Sequence, residues 1–131
     1  MFDVGHAGKH FSWDVFQKAY DQGVGFDTLG GDITAFSWKN REKFKIYDIF
    51  HLLSGFLNAG VSKEEVFRAL ITNPARYMGR KTELKKQCLV LKKRNGDSEL
   101  SDGMGESRKC TYEYVPTLFL KDKKTVYKED M

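Results

Sequence analysis

Residues Phe26–Ile33, which read Phe-Asp-Thr-Leu-Gly-Gly-Asp-Ile, constrain the fold more than any other stretch of this chain. A short apolar run ends in two glycines and then a carboxylate. That is the pattern of a buried strand, Phe26–Asp32, running into a Gly-rich loop with Asp32 held at the strand's C-terminal end. In βα folds this is the end where chemistry collects. Upstream, Phe2-Asp3-Val4 reads as a strand entering the loop Gly5-His6-Ala7-Gly8-Lys9-His10. Ser12 suits a helix N-cap. After it Trp13, Phe16, Ala19 and Tyr20 recur at helical spacing, Asp14, Gln17, Lys18 and Asp21 take the other face, and Gly23 is a stop. Strand, helix and strand in so short a span make a βαβ unit, which implies two parallel strands.

The segment from Thr34 to Lys45 mixes Phe36, Trp38 and Phe44 with charges in no single period, and it reads as a long loop. A helix follows in which Ile46, Ile49, Phe50, Leu53, Phe56 and Leu57 form the apolar stripe. Asp48, His51, Ser54 and Asn58 fall opposite, and His51 is expected to be solvated there. Ser62-Lys63-Glu64-Glu65 matches a capping box, and its helix is expected to be interrupted at Asn73-Pro74, because proline lacks the N–H that continues the ladder. A short helix over Ala75–Met78 stops at Gly79. Beyond Lys81 the pattern turns to strands, with a turn expected at Arg94-Asn95-Gly96-Asp97 and a second at Asp102-Gly103-Met104-Gly105. A strand through Cys110, Tyr112, Tyr114, Leu118 and Leu120, a charged turn at Lys121–Lys124 and a last strand over Thr125–Tyr127 complete the tail. The fold class is therefore α/β over residues 1–79, followed by a β-rich segment over 80–131.

Composition narrows the function classes. Hydrophobic residues make up 40% and aromatics 14%, too much for a disordered chain. No apolar run reaches the roughly 18 residues of a membrane span, and no signal peptide opens the chain, so a cytoplasmic protein without membrane association is expected. Cys88 and Cys110 lie too far apart for a metal knuckle and are expected to be free thiols. Thirteen of the 22 Lys/Arg residues follow Gly79, so the whole net charge of +4 sits in the tail. Its lysines are interleaved with acids and no recognition motif appears, which makes nucleic-acid binding the alternative and a solvated strand edge the simpler account.

Several motifs together resemble one family. Phe2-Asp3-Val4-Gly5-His6-Ala7-Gly8, Asp27-Thr28-Leu29-Gly30-Gly31-Asp32-Ile33, Tyr47-Asp48, Gly60-Val61-Ser62-Lys63-Glu64-Glu65-Val66 and Asn73-Pro74-Ala75-Arg76 resemble the C-terminal part of metal-dependent amidohydrolases. The nearest group is the dihydroorotase-like enzymes, including those that act on N-acylated amino acids. The resemblance implies the last two βα units of a (β/α)8 TIM barrel, followed by part of a small β-sandwich. Phe2–Val4 would be the seventh barrel strand and Phe26–Asp32 the eighth. Asp32 would bind metal, usually zinc, and take the proton from the attacking water. Gly5, His6 and Gly8 would face a small-molecule amide or cyclic amide substrate. The family's other ligands come from earlier strands, so the expectation is a fragment, inactive and without tightly bound zinc until the N-terminal barrel portion joins it. The family's usual entry to the returning sandwich strand has no counterpart around Lys81–Cys88.

Other readings stay beside this one. Asp after Gly is an ordinary turn residue. His6, His10 and Asp32 offer a small zinc site, but on a glycine loop whose spacing supplies no facing geometry. A non-catalytic binding or scaffold protein is the competing class. In the fragment reading the stripe over residues 46–57 has lost most of what it packs against, so the isolated chain should be marginal or aggregating. A sharp cooperative melt from a monodisperse monomer in sedimentation would contradict that.

Overall fold

The strands read at the start of the chain pair in parallel. A computed structural model describes residues 1–44, 48–80 and 87–130. In it β1 (Asp3–Gly5) lies beside β2 (Thr28–Gly30), with Asp3 opposite Thr28 and Gly5 opposite Gly30. β1 is displaced by one residue from the sequence pattern, and β2 is shorter than the pattern suggested. The Asp27 N–H donates to the Phe2 carbonyl at 2.8 Å and the His6 N–H to Gly30 at 3.2 Å, so the pairing reaches slightly past each end. Between them runs α1 (Trp13–Asp21), capped by the Ser12 hydroxyl on the Val15 N–H and stopped near Gly23, whose φ is 82°. Its exposed face carries the Lys18–Asp14 and Gln17–Asp21 pairs.

The expected loop after Thr34 is instead two short helices, α2 (Ala35–Lys39) and α3 (Arg41–Phe44). The Thr34 hydroxyl caps the first by accepting from the Ser37 N–H at 3.2 Å, and the Asn40 N–H closes it on the Phe36 carbonyl. Each piece is about one turn long, too short for periodicity to register. Then α4 (Ile49–Asn58) begins at Asp48, whose carboxylate accepts from the Phe50 and His51 N–H groups. The capping box forms as expected at Ser62 and Glu65 and starts α5 (Lys63–Phe67). The interruption at Asn73-Pro74 does not occur. A π turn over Arg68–Thr72 leads directly into α6 (Asn73–Tyr77), with the Asn73 N–H reaching back five residues to the Arg68 carbonyl. The wider turn accommodates the proline one turn before its ring would clash. Ile46 and Tyr47, and Lys81–Lys86 of the stretch ahead of Cys88, lie outside the described residues.

The tail is a three-stranded antiparallel sheet, β3 (Gln87–Ser101), β4 (Ser107–Lys121) and β5 (Lys124–Lys128). The expected turn at Arg94–Asp97 is absent. The strand runs through it, with a bulge between Asn95 and Ser98. Gly96 serves packing there, since a Cβ on it would stand 2.4 Å from Glu113 Cγ on the paired strand. Asp102–Gly105 is the hairpin turn, as read, and Lys121–Lys124 connects β4 to β5. Cys88 is an exposed thiol and Cys110 a buried one, both free.

The hairpin packs on the helices. The Trp13 indole N–H donates to the Leu100 carbonyl at 2.9 Å, and the Trp13 backbone N–H to Asp102 Oδ2 at 2.9 Å. Ser54 Oγ accepts the Tyr114 N–H at 3.0 Å, and the Asn58 amide bonds both Thr111 and Tyr112. The polar side of α4 thus lies under β4, while Leu52, Leu53, Phe56 and Leu57 join Phe11, Trp13, Phe16 and Leu100 in the core. Rings pack edge to face, as at Phe16–Phe56 and Phe11–Trp13, both with centroids 4.9 Å apart. Among the described residues no helix is long and apolar enough to cross a membrane.

Gly55 is the tightest point of this contact, because a Cβ there would meet Leu100 Cδ1 at 2.1 Å. Gly55→Ala should destabilise the chain by about 1–3 kcal/mol through overpacking, read as a lower urea midpoint at unchanged slope.

Candidate functional site

Asp32 follows β2 by two residues, beyond the C-terminal ends of both parallel strands. Its φ of 43° is left-handed, where a side chain costs about 1 kcal/mol or more although Asp tolerates the region better than most. The carboxylate is exposed, and among the described residues no donor or cation pairs with it. Gly5, at the end of β1, makes this placement possible. A Cβ on Gly5 would approach Asp32 Cβ at 3.1 Å and Oδ2 at 3.4 Å. The structure therefore brings Gly5 and Asp32 together at one end of the strand pair.

His6 and Gly8 are placed differently. The His6 ring is fully buried, stacked on Phe11 at 4.1 Å and edge-on to Trp13. Its Nδ1 accepts the Gly8 N–H at 3.2 Å, which fixes the tautomer with the proton on Nε2. That Nε2 is buried without a hydrogen-bond partner. Burial pulls the His6 pKa down from 6.5 to about 4, with the Asp102 carboxylate pulling weakly the other way. Gly8 has a φ of 90° and sits beneath Phe44, whose ring a Cβ would meet at 2.3 Å. Phe44 thereby folds the α2–α3 segment back onto the loop after β1, and Lys9 Nζ lies 4.8 Å above the Phe36 ring in the same contact.

The described residues hold no cluster of three His, Cys, Asp or Glu side chains able to bind an ion, so His6, His10 and Asp32 do not assemble one. Asp32 stands as an accessible carboxylate at the strand ends, without a partner among the described residues; one carboxylate is one donor of the three or four that zinc needs.

Two groups of polar residues were not legible as a site. Asp102, read as a turn residue, is 3% exposed and accepts from the Trp13, Met104 and Glu106 N–H groups. Burial pushes its carboxyl up, but those three donors and nearby His6 outweigh burial and hold it below its ordinary range. The second group lines a cleft of about 120 Å³ between α4 and the hairpin, with Asp48, His51, Arg94 and Glu113 on its walls. The expectation that His51 is solvated fails here. Its ring is mostly covered, and its Nδ1 lies 3.1 Å from Asp48 Oδ1. Only an Asp three residues before a His at a helix start hinted at this pair.

No family model matches the chain, and no curated protein matches its sequence. Among solved structures it is similar to a dihydroorotase, with a TM-score of 0.82 and 21% identity over 96% of this chain and 35% of that one. It is also similar to an adenine deaminase, with a TM-score of 0.79 and 19% identity over 98% of this chain and 36% of that one. At such identities the likeness is one of fold. The chain spans about a third of the length of these two proteins.

The left-handed backbone at Asp32 separates two substitutions. Asp32→Ala should cost about 1 kcal/mol, whereas Asp32→Gly should be near neutral, as measured by chemical denaturation. His6 sets a pH dependence. Its folded pKa lies below the unfolded value of 6.5, so its contribution is complete above pH 6.5 and lost as pH falls toward about 4. The loss should approach about 3 kcal/mol. His6→Asn, which can keep an acceptor for the Gly8 N–H, should flatten the stability curve over that window.

Proposed function

We propose that this chain is part of a metal-dependent hydrolase of C–N bonds in amides or cyclic amides, of dihydroorotase-like or deacetylase-like type. In this reading β1 and β2 are the last two strands of a (β/α)8 barrel, and the β3–β5 sheet is part of the accessory sandwich. The observation that carries it is Asp32, an unpaired, accessible carboxylate in a costly backbone conformation at the C-terminal ends of two parallel strands. The fold likeness to a dihydroorotase and an adenine deaminase supports it.

Asp32 would be this chain's contribution to a metal site whose other ligands lie on residues outside it. Zinc, one or two ions in the complete enzyme, would supply a hydroxide near neutral pH and polarise the carbonyl. The Asp32 carboxylate takes a proton from the attacking water and returns it to the leaving nitrogen, a role that needs an anionic oxygen within hydrogen-bond reach. Gly5 leaves that carboxylate room. His6 is the candidate substrate-side residue of the loop after β1, and in the described conformation it stands behind that loop, where its stacking on Phe11 would fix the backbone of Gly5 and Gly8. The chain would act only with the remaining barrel portion, as a protein of the cytoplasm.

Reading the coding DNA upstream of Met1 tests the proposal first. A frame encoding a His-x-His strand and further metal-binding histidines is the expected result. In the rejoined protein, Asp32→Asn should lower kcat about 10²–10⁴-fold with little change in KM. An unrelated upstream gene with its own stop, or wild-type activity in Asp32→Asn, would replace this reading with a binding or scaffold role.

A further inference from the structure

The polar cleft between α4 and the hairpin is not used by the hydrolytic reading, and its charges are arranged across the joint between the two. Arg94 on β3 and Glu113 on β4 are register partners, and their ion pair, 3.6 Å, is internal to the hairpin. It does nothing to hold the hairpin on the helix. Across the cleft, α4 contains no Lys or Arg, so His51 is the one group on that helix able to offer Glu113 a positive charge. The His51 ring is fixed at the helix start by Asp48, which also accepts the Phe50 and His51 N–H groups and so cannot swing away. One turn further along α4, the Ser54 hydroxyl holds the Tyr114 N–H, next to Glu113. The next turn brings Asn58 to Thr111. Among the described residues, the titratable and charged groups that line this cleft with His51 are Asp48 on its own helix, Arg94 on β3 and Glu113 on β4. Beside Glu113 lie the buried Cys110 thiol and Tyr114, over whose ring Lys63 of α5 sits at 5.5 Å.

We propose that His51 is a proton-operated fastener. Protonated, its imidazolium lies between Asp48 and Glu113 and holds β4 on α4; neutral, it leaves the carboxylates of Asp48 and Glu113 facing each other across the cleft and loosens the Ser54–Tyr114 and Asn58–Thr111 bonds. The hairpin then carries the effect onward, because its turn is bonded to the start of α1 through Leu100 and Asp102. The sign follows from the contacts. The Asp48 hydrogen bond, then its charge and that of Glu113, raise the His51 pKa above 6.5 despite burial. The contribution to docking is therefore complete below pH 6.5 and lost as pH rises through the folded value.

The test is an NMR titration of the full chain at and above neutral pH. The His51 ring shifts are followed together with the exchange protection of the Tyr114 and Thr111 amides, normalised for base-catalysed intrinsic exchange. Protection of both amides should fall several-fold with the midpoint of the His51 ring. His51→Asn should abolish the step, and Glu113→Gln should lower the His51 midpoint. Protection that stays flat while the ring titrates overturns the proposal. So does a midpoint that moves with Asp48→Asn but not with Glu113→Gln, since His51 would then not be coupled to β4. The wild-type titration alone decides if a variant fails to fold. His6 titrates near pH 4, outside this window.

Discussion

The arrangement depends on one buried carboxylate. Asp102 gathers three backbone N–H groups, two from its own hairpin turn and one from the first residue of α1. The turn is thereby fixed to Oδ1 and the helix start to Oδ2 of one carboxylate. The Gly103 N–H adds a bond to the Phe11 carbonyl, and a Cβ on Gly103 would stand 2.0 Å from the Lys9 carbonyl oxygen. The loop after β1 is consequently pressed between the hairpin turn and the strand pair. Trp13, with its backbone on Asp102 and its indole on the Leu100 carbonyl, is the hinge pin of that assembly.

The loop so confined carries Gly5, His6 and Gly8, and the confinement explains their identities. Gly5 makes room for Asp32, and Gly8 makes room for Phe44. His6 is enclosed because Phe11 and Trp13 are held over it by the same bonds that fix α1. A neutral imidazole suits this interior, since a charged one would have to leave water without a partner for Nε2. Asp32 is the exception among these groups. It is exposed to solvent and leaves its strain unrelieved by any bond to the described residues.

Local chemistry with a strong signature was legible in the sequence. The Ser12 cap, the Ser62–Glu65 capping box, the βα punctuation and the turn at Asp102 can each be read from a few adjacent residues. What escaped depends on residues far apart in the chain. Thr34 caps α2, but one-turn helices carry too few residues to show a period. Gly96 looks like a turn residue until Glu113 is seen to need its space. Pro74 looks like a break because the π turn that absorbs it has no sequence mark of its own. His51 was assigned to solvent since nothing local announces that β4 lies across it. The Gly30-Gly31-Asp32 sequence marks the end of a strand locally, and the placement of Asp32 against Gly5 follows from strand pairing that the βαβ order implies.

The hairpin and the helix start it secures are far apart in the chain: Trp13 and Asp102 lie 89 positions apart. β3 and β4, by contrast, are joined by a tight turn and can pair as soon as both exist. During synthesis at about 5–20 residues per second, the β1–α1 region therefore waits roughly 4–18 s for the carboxylate that completes it. Through that interval the Trp13 N–H lacks its Asp102 partner, Phe11 and Trp13 lack the cover of the hairpin, and the loop bearing His6 is open to water and to other chains. The order of emergence from the ribosome, rather than the strength of any one contact, sets how long this surface must be protected.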